Sequence, residues 1–219
     1  MIPHNDVLSE SSPSYGRAEA FSIRGLGVAK KESETGFSLI ELVVVIVVIG
    51  LLAVAALPKF LDVTDEAKKA SIEGVAGGYA TAVLSARAQW EAEARPQVTI
   101  GGQGYNSVNY DGVDFWLTRA KDSSGNSTGF RDGYPLSVNS GNRYPTSLTD
   151  SACILLMENL LQNPPKVGTT TAAGNDSDVQ YSAQADNAAN TCTYVQQEGS
   201  TAHQFVYELA TGQVTVTLQ

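Results

Sequence analysis

The sequence predicts an α+β protein, with one long N-terminal helix followed by a head of short antiparallel strands. The 21 residues Phe37–Leu57 are almost entirely apolar, and Glu41 is their one ionisable residue. A helix of that length reaches about 30 Å, the thickness of the hydrocarbon core of a bilayer. Beyond residue 96, turn-forming pairs such as Asp111-Gly112 alternate with short strand-like pieces, which is typical of a β-rich domain.

Residues 1–36 have no hydrophobic periodicity and are predicted to form an unstructured leader. Lys30 and Lys31 are the basic residues nearest the apolar run, and they predict a cytoplasmic N-terminus by the positive-inside rule. Because 36 residues are many for a leader, we hypothesise that translation starts at Val28, from an alternative GTG codon. The N-terminus of the uncleaved precursor tests this hypothesis.

The apolar run has three interpretations. A plain transmembrane anchor leaves Glu41 unexplained, because a carboxylate inside a membrane helix costs roughly 2.5–3.5 kcal/mol unless it lies near the interface. A Sec signal peptide would be cut after Ala53-Val54-Ala55, but its apolar region should span only about 7–15 residues, and Leu42–Leu57 already has 16. The third interpretation is a leader cut between Gly36 and Phe37, with the run retained.

The segment Gly36-Phe37-Ser38-Leu39-Ile40-Glu41-Leu42 resembles the cleavage and assembly motif of type IV pilins. Val43–Leu61 is similar to the N-terminal helix of type IVa pilins, especially those of mannose-sensitive haemagglutinin (MSHA) pili, and the resemblance covers roughly residues 36–85. It implies that a prepilin peptidase cuts after Gly36 and methylates the new amine of Phe37. It also implies that Glu41 pairs with the Phe37 amine of a neighbouring subunit in the fibre.

Gly50 and Pro58 are predicted weak points of this helix. Pro58 has no N–H, so the Val54 carbonyl loses its helical partner and a kink is expected. Gly50 weakens the helix by about 1 kcal/mol relative to Ala. Membrane helices tolerate both residues, but the matching segment of pilins can lose helicity in the filament. The resemblance therefore implies an extended segment between Gly50 and Pro58 in the fibre.

Residues 58–96 are predicted to continue the helix as an amphipathic spine of the head, ended by Pro96. Apolar side chains recur there at three- and four-residue steps. They are Phe60, Leu61, Ile72, Val75, Ala76, Tyr79, Val83, Ala86 and Trp90.

Residues 97–219 are predicted to form a globular head, an antiparallel meander packed on the helix. Residues 151–162 are predicted to form a short amphipathic helix or a turn that stops at Pro164-Pro165. The Thr- and Asn-rich residues 167–190 are expected to form a surface loop. Gly133-Tyr134-Pro135 is similar to a loop of MSHA pilins. The predicted strands are Gln97–Ile100, Val113–Leu117, Thr193–Gln197, His203–Leu209 and Val214–Leu218.

Cys153 and Cys192, the two cysteines, lie 39 positions apart in this head. The leader charges place them outside the cytoplasm, where disulfides persist. A bridge would stabilise the head by about 4 kcal/mol in the chain-entropy model, and it would match the C-terminal disulfide loop of type IVa pilins. The alternative is two free buried thiols.

Composition argues against several functions. The net charge of −9 disfavours nucleic-acid partners. Removing the leader's four basic and five acidic residues leaves 10 Lys+Arg and 18 Asp+Glu, a charge of −8. The two histidines, His4 and His203, have no metal-ligand spacing to other candidates. Oxygen-rich pieces near Asp122 and Asn175 fit no calcium loop. No nucleophile–base pair or phosphate loop occurs, so neither enzyme activity nor a cofactor is expected.

The sequence therefore predicts a prepilin whose mature form is Phe37–Gln219. The subunit is expected in the inner membrane before assembly, and then in an extracellular adhesive pilus built by inner-membrane assembly machinery. It polymerises with other pilin subunits, and the sequence does not specify a surface receptor. The alternatives are a type II secretion pseudopilin, a minor pilin, and a soluble periplasmic binding protein released by Sec cleavage.

Overall fold

The computed structural model describes residues 36–198 and 202–219. The predicted leader, apart from Gly36, lies outside the described residues. Three helices and nine strands occur in the described part of the chain. In chain order they are α1 (Leu39–Ala92), β1 (Gln97–Ile100), β2 (Gln103–Tyr110), β3 (Val113–Leu117), β4 (Pro135–Val138), α2 (Asp150–Leu160), β5 (Val167–Thr169), α3 (Thr170–Asn175), β6 (Tyr181–Asp186), β7 (Thr191–Gln196), β8 (Gln204–Glu208) and β9 (Gln213–Thr217).

The structure divides into two compact units. One ends at Gly50, and its described part contains the first turns of α1, with exposed side chains throughout. The other runs from Leu51 to Gln219 and contains both sheets and the hydrophobic core. The segment boundaries predicted at residues 57 and 96 remain predictions.

The amphipathic stripe of α1 is buried from Ile72 onward. Phe60, which was assigned to the same stripe, is 74% exposed, and this assignment was wrong. The reason is distance along the helix, because the first buried residue among the described side chains of α1, Ile72, lies twelve positions, or about three turns, further on. The side chain of Leu61 lies outside the described part. The stripe members with at most 2% exposure are Ile72, Ala76, Tyr79, Val83, Ala86 and Trp90.

Helix α1 ends at Ala92, four residues before the predicted stop at Pro96. Ala94 and Arg95 both have a φ of 61°. The N–H of Arg95 donates to the Trp90 carbonyl (2.9 Å), and that of Ala94 donates to the Glu91 carbonyl (3.2 Å). These two bonds form a Schellman cap, which satisfies carbonyls that the helix end leaves open.

The strands form two sheets, with orders β1-β2-β3-β4 and β5-β6-β7-β8-β9. All pairs are antiparallel except β5–β6, which is parallel. The predicted fold class and the antiparallel β7–β9 meander are thus confirmed. The prediction of a surface loop at 167–190 was wrong, because this segment contains β5, α3 and β6. Tyr181 and Ala183 of β6 are 3% and 0% exposed, and their burial against the core outweighs the polar composition around them.

Tyr79 joins helix α1 to the second sheet. Its ring lies 5.5 Å from that of Tyr194 on β7 and 5.4 Å from that of Tyr207 on β8. Its hydroxyl lies 3.2 Å from the Tyr194 hydroxyl, which in turn donates to the Cys153 carbonyl at 2.7 Å. Burial raises the pKa of Tyr79 well above its ordinary value. The contact with the Tyr194 hydroxyl gives the buried phenol a hydrogen-bond partner, which lowers the cost of its burial.

Gly133 sits where the head meets α1, and we expect Gly133→Ala to destabilise the head by roughly 2–5 kcal/mol. Its φ is 89°, and a Cβ there would lie 2.6 Å from two atoms of the Trp90 ring. Trp90 cannot yield easily, because it is 2% exposed and its indole N–H donates to the Pro96 carbonyl.

Gly129→Ala is the matched control, because Gly129 has a similar φ of 81° but open space around a new Cβ. This variant should show only the backbone strain, about 1–2 kcal/mol. Urea unfolding of both variants, followed by tryptophan fluorescence, measures the difference. Equal losses of unfolding free energy in the two variants would contradict the proposed clash with Trp90.

Candidate assembly segment

Ser38 caps the start of α1. Its hydroxyl accepts the N–H of Glu41 at 3.2 Å, and its carbonyl accepts the N–H of Leu42 at 3.1 Å. The spacing Ser-x-x-Glu is that of a capping box, in which a side chain satisfies donors that the first helical turn leaves open. This role of Ser38 was not predicted, although the four-residue pattern was sufficient to indicate it.

Glu41 lies in the first turn of α1 and is exposed. A carboxylate there is favoured by the positive end of the helix dipole. Within the part of the chain that the structure describes, Glu41 takes part in no salt bridge. The carboxylate is thus available to a cation supplied by another molecule.

Gly36 and Phe37 precede the helix in irregular backbone. Phe37 is 78% exposed, and open space surrounds the position of a Cβ on Gly36. An exposed, non-helical peptide bond can enter a protease active site in an extended form, whereas a bond inside α1 would first have to unfold. The placement of these residues is compatible with the predicted cut between them, which remains a prediction.

The first half of α1 presents a continuous apolar surface. Helix α1 contains a span long and apolar enough to cross a membrane, with a mean hydropathy of 3.1 and none of it buried within the chain. Leu39, Leu51 and Val54 are 81%, 69% and 75% exposed. Each such side chain gains about 1.5–3 kcal/mol when it is removed from water, so this surface favours lipid or another protein as its surroundings.

Gly50 and Pro58 both lie within α1, which the structure assigns as helix across each of them. A Cβ on Gly50 would meet nothing within 4 Å, so no packing inside the chain requires glycine there. Since this is a single subunit outside a fibre, the predicted extension of the segment between these residues stays a prediction.

The predicted disulfide is present and joins α2 to β7. Cys153 and Cys192 are bonded, with their Cα atoms 5.6 Å apart, and both residues are 0% exposed. The alternative of two free thiols was wrong. Strands β8 and β9 follow the second cysteine and extend the sheet beyond β7.

Other predicted candidates are structural. His203, expected to be a structural or surface residue, is fully buried, and its Nδ1 accepts the N–H of Gln219 at 3.0 Å. Among the described residues no group of three or more metal-ligating side chains is found. Asp122 accepts the N–H groups of Ser124 and Asn126 at 2.9 and 2.8 Å, which makes it an ordinary turn residue.

Comparison with known proteins places the similarity at the N-terminus. Residues 33–57 match the family model of the prokaryotic N-terminal methylation motif. The chain is 44% identical over 54 residues to the type IV narrow pilus major component PilA5 of Thermus thermophilus, an alignment that covers 25% of this chain and 47% of the relative. It is 37% identical over 84 residues to the fimbrial protein EcpC of Eikenella corrodens, covering 36% of this chain and 55% of the relative.

The chain thus spans about half the length of the curated relatives that it matches. No solved structure matches it significantly. The fold is nevertheless informative by itself, because a long apolar N-terminal helix, antiparallel sheets and the Cys153–Cys192 bridge occur together. The chain therefore combines a prokaryotic N-terminal methylation motif with the type IV pilin fold.

Proposed function

We propose that this chain is the precursor of a structural type IV pilin subunit that polymerises into an extracellular pilus and contributes to surface adhesion. The observation that carries the proposal is the apolar segment Phe37–Leu57, which lies within the match to the methylation motif and has no buried side chain. Burial of this surface against the same surface of other copies would supply the main driving force for assembly.

Processing precedes assembly in this scheme. Prepilin peptidase removes residues 1–36 and methylates the Phe37 amine, while Lys30 and Lys31 hold the N-terminus on the cytoplasmic side of the inner membrane. The apolar half of α1 then spans the membrane until the assembly machinery extracts the subunit. In the fibre, the segment between Gly50 and Pro58 becomes extended, and a fibre density that shows unbroken helix there would contradict this step.

Glu41 sets the register of the polymer. Its carboxylate pairs with the Phe37 amine of a neighbouring subunit, so a charge created by cleavage meets a charge that has no partner within the described chain. A buried charge is strongly unfavourable without its partner. Subunits whose amine and carboxylate are out of register are therefore rejected.

Similarity to a pilus component and a fimbrial protein favours a pilus subunit over a secretion pseudopilin or a soluble periplasmic protein. The finer assignment to MSHA-type pili rests on the helix sequence Val43–Leu61 and on the loop Gly133-Tyr134-Pro135. Deletion of the gene should remove surface fibres and leave type II secretion intact. The abundance of the subunit in sheared fibres distinguishes a major from a minor pilin.

Mass spectrometry of sheared surface fibres tests the proposal directly. The expected species runs from N-methylated Phe37 to Gln219 and is two hydrogens lighter than the reduced chain. A chain beginning at Ala56, or one that retains the leader, would contradict the proposal. Gly36→Val should block cleavage because the bulky side chain hinders the cut site, whereas Ala29→Val, elsewhere in the leader and present with either start codon, should be processed normally.

A further inference from the structure

The head contains a cavity of about 420 Å³ whose walls come from separate segments of the chain. This volume lies in the range of small-molecule sites, which are about 300–1,000 Å³. The cavity belongs entirely to the unit Leu51–Gln219 and is far in sequence from the assembly segment. Its apolar walls are formed by Phe130, Leu136, Tyr144, Pro145, Leu148 and Leu209.

Arg119 is the one charged side chain among the described residues that line this cavity. It forms no salt bridge with any described residue. Its Nη1 donates to the Gly104 carbonyl at 2.8 Å, but its buried Nε has no hydrogen-bond partner. With Nη1 bonded and Nε closed off from solvent, Nη2 is the guanidinium nitrogen left to donate to an acceptor that enters the cavity.

The guanidinium is held in a fixed position by aromatic rings. It lies 4.1 Å from the centre of the Tyr105 ring and 5.2 Å from that of Tyr144. Trp116 packs edge-on against Tyr144, at 5.6 Å between ring centres, and its buried indole N–H also has no partner. A pre-organised cation loses little entropy when it donates to a carboxylate.

Among the described residues no carboxylate forms an ion pair with Arg119, although the Asn126 N–H and, to a lesser degree, the charge of Arg119 lower the pKa of Asp122. Asp122 and Asp132 line a neighbouring polar groove, to which Arg119 also contributes, and they are absent from the lining of the cavity. One oxygen of Asp132 accepts the N–H of Ala120 at 2.8 Å and the Asn106 amide at 3.3 Å. These carboxylates are thus committed to the backbone and to neighbouring side chains, and the cavity itself carries a single positive charge.

The mouth of the cavity adds polar groups suited to hydroxyls. Thr146 and Ser147 are exposed, and among the described residues their hydroxyls make no hydrogen bond. The side-chain amide of Asn190 also lines the cavity. Apolar walls, one cation and free hydroxyl and amide groups together fit a small organic body that carries both hydroxyls and one carboxylate.

We propose that this cavity binds a sugar-sized hydroxylated carboxylate, of the uronic acid class, with its carboxylate on Arg119. The ring of the ligand packs on the apolar walls, and its hydroxyls bond to Thr146, Ser147 and Asn190. The ligand source is either a free acid or one residue of an acidic polysaccharide, since both present the same chemistry. The inference does not depend on fibre formation, because every lining residue belongs to one subunit.

Calorimetric titration of the full-length chain in detergent micelles tests the proposal, with D-glucuronate and D-glucose as probes. These sugars differ at one position, where glucuronate carries a carboxylate and glucose carries a hydroxymethyl group. We expect glucuronate to bind at least about tenfold more tightly than glucose, as one charge-assisted contact implies.

Arg119→Gln should weaken glucuronate binding by at least about tenfold. Arg143→Ala is the matched control, because Arg143 is exposed, lies outside the cavity lining and should leave affinity unchanged.

Ser147→Phe provides a second variant if the loss of Arg119 unfolds the head. Ser147 is exposed at the mouth, so the phenyl ring should obstruct the cavity without disturbing the cluster around Arg119. Competition by hyaluronate, which contains glucuronate residues, would identify a polysaccharide as the source, and its absence would identify a free acid. The proposal would be overturned if the two sugars bound equally well, or if glucuronate did not bind at 10 mM, roughly the weakest affinity of interest. It would also be overturned if the folded Arg119→Gln and Ser147→Phe variants bound glucuronate as tightly as the wild type.

Discussion

Glu41→Val should leave the precursor processed and inserted in the membrane, and should stop normal fibre growth. Insertion becomes easier, because a carboxylate in a membrane helix costs roughly 2.5–3.5 kcal/mol that Val does not. Assembly fails because the Phe37 amine of the neighbouring subunit is then buried without its countercharge, a loss of about 3–5 kcal/mol for each contact in a buried pair. Immunoblots of sheared fibres and of the membrane fraction measure both results.

Two further variants separate charge pairing from helix capping. Glu41→Gln preserves the Ser-x-x-Glu/Gln capping geometry but removes the charge, so it should block fibres as Val does. Ser38→Ala removes the hydroxyl that accepts the Glu41 N–H, which costs about 1 kcal/mol of helix stability. It retains the carboxylate, so fibres should still form. Fibres at normal yield from Glu41→Val or Glu41→Gln would disprove the pairing.

The helix and the assembly motif are predictable because their signals are local. The apolar run and the three- and four-residue spacing of Tyr79, Val83 and Trp90 require only the geometry of a helix. The capping pattern and Glu41 lie within seven residues of Gly36. The predicted length of the buried stripe was wrong, because the burial of Phe60 depends on how far the head reaches along α1.

Strand β2 shows why the polar half of the head was harder to predict. Its sequence contains Asn106 and Ser107, which are 3% and 7% exposed. Their burial is possible because the Asn106 amide donates to the Thr118 carbonyl and the Ser107 hydroxyl donates to the Phe115 carbonyl, each at 2.9 Å. Such partners are supplied by tertiary structure, so neither alternation nor composition reveals the strand.

The Arg119 cavity is unpredictable from sequence for a related reason. Its lining joins residues as distant as Thr118 and Leu209, and no motif links them. Only the folded chain places this cation, which forms no ion pair with a described residue, among uncharged walls. Arg119 in the sequence alone is one surface cation among the 14 basic residues.

Loss of the Cys153–Cys192 bridge should be among the largest losses of stability of the head. In the chain-entropy model, a separation of 39 residues corresponds to about 4 kcal/mol, a large part of the 5–15 kcal/mol that usually stabilises a domain. The bridge fixes α2 on β7, and the Cys153 carbonyl also accepts the Tyr194 hydroxyl at 2.7 Å. Its rupture should therefore loosen the aromatic contact with Tyr79 as well.

Urea unfolding of the full chain in detergent, followed by tryptophan fluorescence, measures this loss. The wild type after reduction in urea and refolding under reductant keeps every sulfur atom, so it reports the cross-link alone. The double variant Cys153→Ala/Cys192→Ala also loses buried sulfur and should be less stable than the reduced wild type by about 1 kcal/mol or more. If the unfolding midpoint were unchanged by reduction, the bridge would contribute nothing to stability. The unfolding midpoint could instead be lower in the double variant but unchanged in the reduced wild type. In that case packing of the two sulfurs, rather than the covalent link, would hold α2 on the sheet.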